Sequence, residues 1–129
     1  DAYRQVMEAY RLPKETEKEQ QLRDATIQEA TKEASLIPME VAESAFSLLE
    51  TMRETLQRGN PNAATDGLVG MMNCRTAILS ALLNVRVNLG GIRDEKFVEE
   101  MTTRCDWLEK RTLEVEADAM QLIKSKHSI

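Results

Sequence analysis

Between Asp66 and Leu89 the chain is apolar nearly all round, and the exceptions are the residues best suited to chemistry. At about 100° per residue, Asp66, Gly70, Asn73, Ala77, Ser80, Asn84 and Asn88 share a wedge of roughly 80°, while Arg75 and Arg86 lie almost opposite. A carboxylate, carboxamides and a hydroxyl lined along a narrow face of small residues could hydrogen-bond a bound molecule. If the face is buried, each group must find a partner or face a wet cavity, because an unsatisfied polar group costs about 1 to 3 kcal/mol. The same stripe also suits a second helix approaching closely, with the Asn side chains bonded to its backbone. Asp66 has, besides, the form of an ordinary helix N-cap.

Other residues offer less. His127 sits near the chain end, where a helix frays, and the seven Met residues read as gap-filling core. The charged segment Lys14 to Asp24 reads as a solvated helix face, from which Arg23 could pair with an anionic ligand. The sequence carries no Gly-rich phosphate loop, no metal-ligand set and no nucleophile elbow. An enzyme built from these residues would work by proton transfer and positioning alone.

Helices must do the positioning. Ala, Leu, Met, Glu, Lys, Arg and Gln dominate, against 5 Gly, 3 Pro and 4% aromatic residues, which is the composition of an all-α protein. Ala2 to Arg11 carries Val6, Ala9 and Tyr10 at helical spacing with no side-chain cap ahead of it, and Pro13 ends that helix. Thr16 and Glu19 have the spacing of a capping box, opening a helix from Glu17 to about Leu36 with Ile27, Ala30, Ala34 and Ile37 on one face. Pro38 divides this helix from the next or kinks it.

The helix from Pro38 to Arg58 is expected to bury Val41, Ala45, Leu48, Leu49, Met52 and Leu56, with Gly59 as its left-handed stop. Gly59-Asn60-Pro61-Asn62 is a turn, after which Thr65 or Asp66 caps a long helix closed by Gly90-Gly91. From near Asp94 the last helix repeats Phe97, Met101, Leu108, Val115 and Leu122, filled in by Cys105, Ala119 and Ile123. That near-heptad stripe suits a bundle or a helical dimer seam. The expectation is one helical domain over residues 1–129, a bundle of about five helices.

Charge and cysteine usage narrow the function. With 17 basic against 22 acidic residues mixed along the chain and a net charge of −5, no basic field exists to neutralise nucleic acid. No run of eighteen apolar residues and no export signal is present, so a membrane span is not expected. Cys74 and Cys105 stand singly inside apolar patterns, which reads as reduced, buried thiols in a cytoplasmic protein. The opening Asp1-Ala2-Tyr3, without an initiator Met, points to residues upstream.

Four segments taken together carry a resemblance. Arg11-Leu12-Pro13-Lys14, the stretch Arg23-Asp24-Ala25-Thr26-Ile27-Gln28 leading to Ile37-Pro38, Gly59-Asn60-Pro61-Asn62 with Asp66, and Asn84-Val85-Arg86-Val87-Asn88 resemble the cyclodeaminase/cyclohydrolase family. That family comprises formimidoyltetrahydrofolate cyclodeaminases and methenyltetrahydrofolate cyclohydrolases. The resemblance implies an all-helical, cytoplasmic enzyme of one-carbon metabolism that forms a homodimer or higher homo-oligomer. It would act on a tetrahydrofolate derivative with no metal and no prosthetic group. It also implies a Gly-Gly-Gly-Ser segment, a helix pair and a catalytic Asp three positions before Ala2, upstream of this sequence, which has only Asp1 immediately before Ala2.

Residue by residue, the resemblance gives Asp66 a catalytic role and gives Asn84, Asn88, Arg23 and Gln28 contacts to the folate. Asp66, Asn84 and Asn88 also lie on the polar stripe. The competing expectation is a catalytically inactive helical scaffold that binds folate or dimerises.

Overall fold

A computed structural model describes residues 1–127. Its helices are α1 (Ala2–Tyr10), α2 (Glu17–Arg58), α3 (Ala64–Leu89) and α4 (Glu95–Lys126), with a 3-10 turn at Pro61–Ala63. Among the described residues the all-α expectation holds, but four α-helices stand where about five were expected. The reason is Pro38, which lies inside an unbroken α2. A proline removes the hydrogen bond to the carbonyl four residues back, here Ala34, and that carbonyl instead accepts from Asn88 Nδ2 of α3 at 3.2 Å.

The helix starts follow side-chain chemistry. Thr16 and Glu19 close the capping box, Thr16 Oγ1 accepting from Glu19 N at 3.2 Å and Glu19 Oε2 from Thr16 N at 3.2 Å. Thr16→Ala should therefore cost about 1 kcal/mol of stability, read by urea unfolding. An unchanged midpoint would mean that the first turn of α2 frays without consequence. Asp1 caps α1 through Tyr3 N, a cap that the sequence reading had not assigned. Asp94 caps α4 and also meets Lys32 Nζ at 2.7 Å. The Lys32 hydrogen bond, followed by the amide of Phe97, holds the Asp94 carboxyl below its ordinary value. Its contribution is present above the unfolded-state pKa and is lost as pH falls through the folded one.

Two expected ends differ. Gly59 is extended rather than left-handed, at φ −83 and ψ −170. Glycine is required there by space, because a Cβ would stand 2.6 Å from the Thr55 carbonyl oxygen. Neither Thr65 nor Asp66 caps α3. Asn60 caps the preceding turn, and that turn runs directly into α3 and leaves both residues inside its first turn.

α3 is the centre of the molecule, antiparallel to α2 on one side and α4 on the other. Leu68, Met71, Ile78, Leu82 and Val85 face inward and share one core with Met39, Ala42, Phe46 and Leu49 of α2 and Met101, Cys105, Leu108 and Val115 of α4. Length and composition alone would let Pro61–Leu89 cross a membrane, but its inward face is packed as a core helix. The expected stripe on α2 was displaced: Val41 and Leu48 are about half exposed, and Met39, Ala42 and Phe46 are buried in their place. This stretch of α2 is apolar on two faces, so periodicity alone could not choose the inner one. Most of the α4 stripe, Met101, Cys105, Leu108, Val115, Ala119 and Ile123, packs against α2 and α3 of its own chain.

Arg75 and Arg86, opposite the polar stripe, reach α4. Arg75 meets Glu116 at 2.6 Å, and Arg86 meets Asp106 at 2.8 Å and Glu109 at 2.7 Å. α1 packs on the end of α2 that overhangs α3.

Candidate functional site

The polar stripe of α3 is not buried in the core. It runs along the border between the α2 contact and the outer surface, where small residues leave room beside α2. Two grooves result. The first, about 530 Å³, is lined by Ala34, Ile37, Pro38 and Val41 of α2 and by Ala77, Ser80, Ala81, Asn84, Val87 and Asn88 of α3. The second, about 480 Å³, lies at the other end of the same seam and includes Leu48, Met52, Leu56, Gly59, Asp66, Gly67 and Gly70.

Gly67 and Gly70 open the second groove. A Cβ on Gly67 would run into the Leu56 side chain, which would have to turn aside, and one on Gly70 would stand 3.4 Å from Met52 Cε, in ordinary contact. Pro38 shapes the first groove, together with the half-exposed Ile37 and Val41. The first groove has no ionisable side chain in its lining. It can offer apolar walls, the Ser80 hydroxyl and two carboxamides, a set suited to a flat, hydrogen-bonding ring.

The structure separates the sequence-derived site residues. Asn84 and Asn88 share the first groove, and among the described residues the Asn84 side chain makes no hydrogen bond. Asn88 spends Nδ2 on the Ala34 carbonyl and leaves Oδ1 without a partner. Asp66 is exposed in the second groove, and among the described residues its side chain makes no hydrogen bond. At a rise of about 1.5 Å per residue, it lies roughly 27 Å along α3 from Asn84. One chain does not place Asp66 and the two Asn residues around a common atom.

Gln28 and Arg23 are held by their own chain. Gln28 Nε2 donates to Gly91 O at 2.9 Å and its Oε1 accepts from Arg93 N at 2.8 Å, bracing the turn between α3 and α4. Arg23 donates through Nε and Nη2 to Tyr10 O, both at 3.2 Å, and its guanidinium stands 5.5 Å from the centre of the Tyr10 ring. Neither residue lines the first groove. Sequence reasoning placed Ser80 on the stripe that lines this groove but missed Pro38 as a groove residue. The signal for Pro38 was available, since a proline inside a helical pattern obliges some other group to meet the freed carbonyl.

Cys74 and Cys105 are free and buried. Burial pushes both thiols up, and Cys74 donates to Ala45 O at 3.1 Å, so neither is a ready nucleophile. Among the described residues no group of three or more His, Cys, Asp or Glu side chains is placed to hold a metal ion.

These features define an all-helical domain with a neutral, carboxamide-bearing groove between two antiparallel helices. The chain belongs to the formiminotransferase-cyclodeaminase family, whose model matches residues 1–107. It is 32% identical over 126 residues to a methenyltetrahydrofolate cyclohydrolase of Methylorubrum extorquens, covering 98% of this chain and 61% of that protein. It is 34% identical over 106 residues to the formimidoyltransferase-cyclodeaminase of Gallus gallus, covering 80% of this chain and 20% of that one. Among solved structures, the formiminotetrahydrofolate cyclodeaminase of Thermotoga maritima superposes with a TM-score of 0.81 at 27% identity, covering 96% of this chain and 58% of that chain. The chain thus spans about three fifths of the length of two of these relatives and a fifth of the third.

Proposed function

We propose that this chain acts on a reduced folate, as a methenyltetrahydrofolate cyclohydrolase or a formimidoyltetrahydrofolate cyclodeaminase, and that the groove beside Pro38 holds the ring. The observation that carries the reading is that nearly the whole chain aligns with a cyclohydrolase and superposes on a cyclodeaminase, with a neutral groove at its centre. In the hydrolase reaction water adds to the methenyl carbon and its bond to N5 breaks, leaving the 10-formyl product. In the deaminase reaction N10 attacks the formimino carbon and ammonia leaves. Both need protons moved near a cationic carbon between two nitrogens.

Asn84, with its side chain unengaged, and Asn88 would contact the ring. Arg23 keeps Nη1 for a carboxylate of the folate tail, and Gln28 enters as the brace of the neighbouring turn. Asp66 remains the proposed proton-transfer group, and its distance from the carboxamides assigns the two roles to different copies of α3. The outer arc of α3, from Val69 through Asn73, Ala77, Ser80 and Leu83 to Val87, is exposed and carries no Lys, Arg or Glu. Such a face suits contact between copies. A two-fold axis near Ala77 would bring Asp66 of one copy beside Asn84 and Asn88 of the other.

The experiment follows the loss of methenyltetrahydrofolate absorbance and the release of ammonia from the formimino compound. Asp66→Asn and Asn84→Ala should each lower kcat/KM at least fivefold, the loss of about 1 kcal/mol expected for one good polar contact. An equal mixture of the two variants should recover activity beyond either alone, because a mixed dimer contains one intact site. Turnover within twofold of native in both variants would remove these residues from the site. Folate-dependent thermal protection without turnover would leave a binding scaffold in place of an enzyme.

A further inference from the structure

The hydrogen bond from Asn88 to Ala34 ties the groove to a defect in α2. In an uninterrupted helix the Ala34 carbonyl would accept from the amide of residue 38. Pro38 has no such proton, and the orphaned carbonyl opens toward α3, where Asn88 Nδ2 donates to it at 3.2 Å. Ala34, Pro38 and Asn88 all line the first groove, so the device is part of its wall.

The bond has a chemical consequence. A carboxamide is ambivalent, able to turn its NH2 or its oxygen toward a ligand. With one Nδ2 proton committed to a carbonyl, which can only accept, the amide can no longer flip, and its oxygen is held on the opposite side. Its Oδ1 is left without a partner among the described residues, as an acceptor of fixed direction.

We propose that Pro38 is a positioning residue of the groove: by withholding its N–H it lets the Ala34 carbonyl fix the Asn88 amide, which presents an acceptor oxygen to an N–H edge of the bound ring. This rests on the folate reading of the groove. The ligand class it selects is a heterocycle carrying a lactam or amino N–H on the edge facing α3. Asn84, held by no such bond, is free to present either end of its amide. The two carboxamides are alike in sequence, and only one is oriented by the backbone.

The test is a double-mutant cycle on the full chain, with Pro38→Ala, Asn88→Ala and their combination, read by urea unfolding and by titration with methenyltetrahydrofolate. In the native background Asn88→Ala should raise the unfolded-to-folded ratio about fivefold, because it strands a half-buried carbonyl. In the Pro38→Ala background, where the helix supplies its own donor, the same change should alter the ratio less than twofold. Pro38→Ala alone should leave the fold as stable as native or more so, yet weaken folate binding about fivefold, since the Asn88 amide is then free to turn.

Equal stability losses from Asn88→Ala in both backgrounds would overturn the backbone half of the inference. Native affinity in Pro38→Ala would overturn the ligand half. A native chain that couples the two residues in unfolding but does not bind methenyltetrahydrofolate would sink the folate reading and the ligand half with it, while the backbone device would stand.

Discussion

Leu82→Ala is expected to destabilise the fold by about 2 to 5 kcal/mol, the range for cutting a buried leucine back to its Cβ and leaving a cavity. Leu82 is fully buried on α3, the helix packed from both sides, so neither α2 nor α4 can close the gap without losing contacts elsewhere. Against a typical total of about 5 to 15 kcal/mol, such a loss brings the domain close to unfolding at physiological temperature. The matching control is Leu113→Ala. Leu113 is 47% exposed on the outer face of α4, and its truncation should stay within about 0.5 kcal/mol. Urea unfolding of both variants gives the comparison. Similar losses would mean that the outer face of α4 is covered in solution, or that α3 is not the central helix.

Thr112→Val is expected to act in the opposite direction, raising stability by about 1 to 3 kcal/mol. Thr112 is fully buried on the inner stripe of α4, between Leu108 and Val115, and among the described residues its hydroxyl has no hydrogen-bond partner. Valine keeps the branched shape and nearly the same helix propensity while removing the stranded polar atom. A higher urea midpoint with an unchanged slope would mark a gain in the folded state. A lower midpoint would show instead that the hydroxyl is satisfied in solution, by a water or by the carbonyl one turn back.

The adjacent pair Thr112 and Leu113 shows how far the sequence could be read. Position 112 lies on the inner line of α4 at helical spacing from Leu108 and Val115, yet it carries a hydroxyl, while the leucine beside it faces out. Residue type alone favours the leucine, but helical spacing already favours position 112, and spacing prevailed. On α2 spacing could not choose, and Val41 and Leu48 lost the core to Met39, Ala42 and Phe46. A helix with two apolar faces has no preferred inside until its neighbours are placed.

The candidate site divides along the same line. Its polar stripe was legible because 3.6 residues per turn fixes which side chains share a face, whatever packs against it. That Asp66 opens onto one groove and Asn84 and Asn88 onto another was not legible, since face and axial distance are separate quantities and only the approach of α2 determines where the seam is open.

By itself, then, the sequence determined the helical class, the capping box at Thr16, the start of α4 at Asp94 and the shared face of the stripe, all set by contacts within a few residues. Only the tertiary structure decided that α2 continues through Pro38, that Asn88 meets the Ala34 carbonyl and that Gln28 and Arg23 are braced by their own backbone. Those outcomes join residues 13 to 65 positions apart, and nothing in local spacing determines which distant groups will meet.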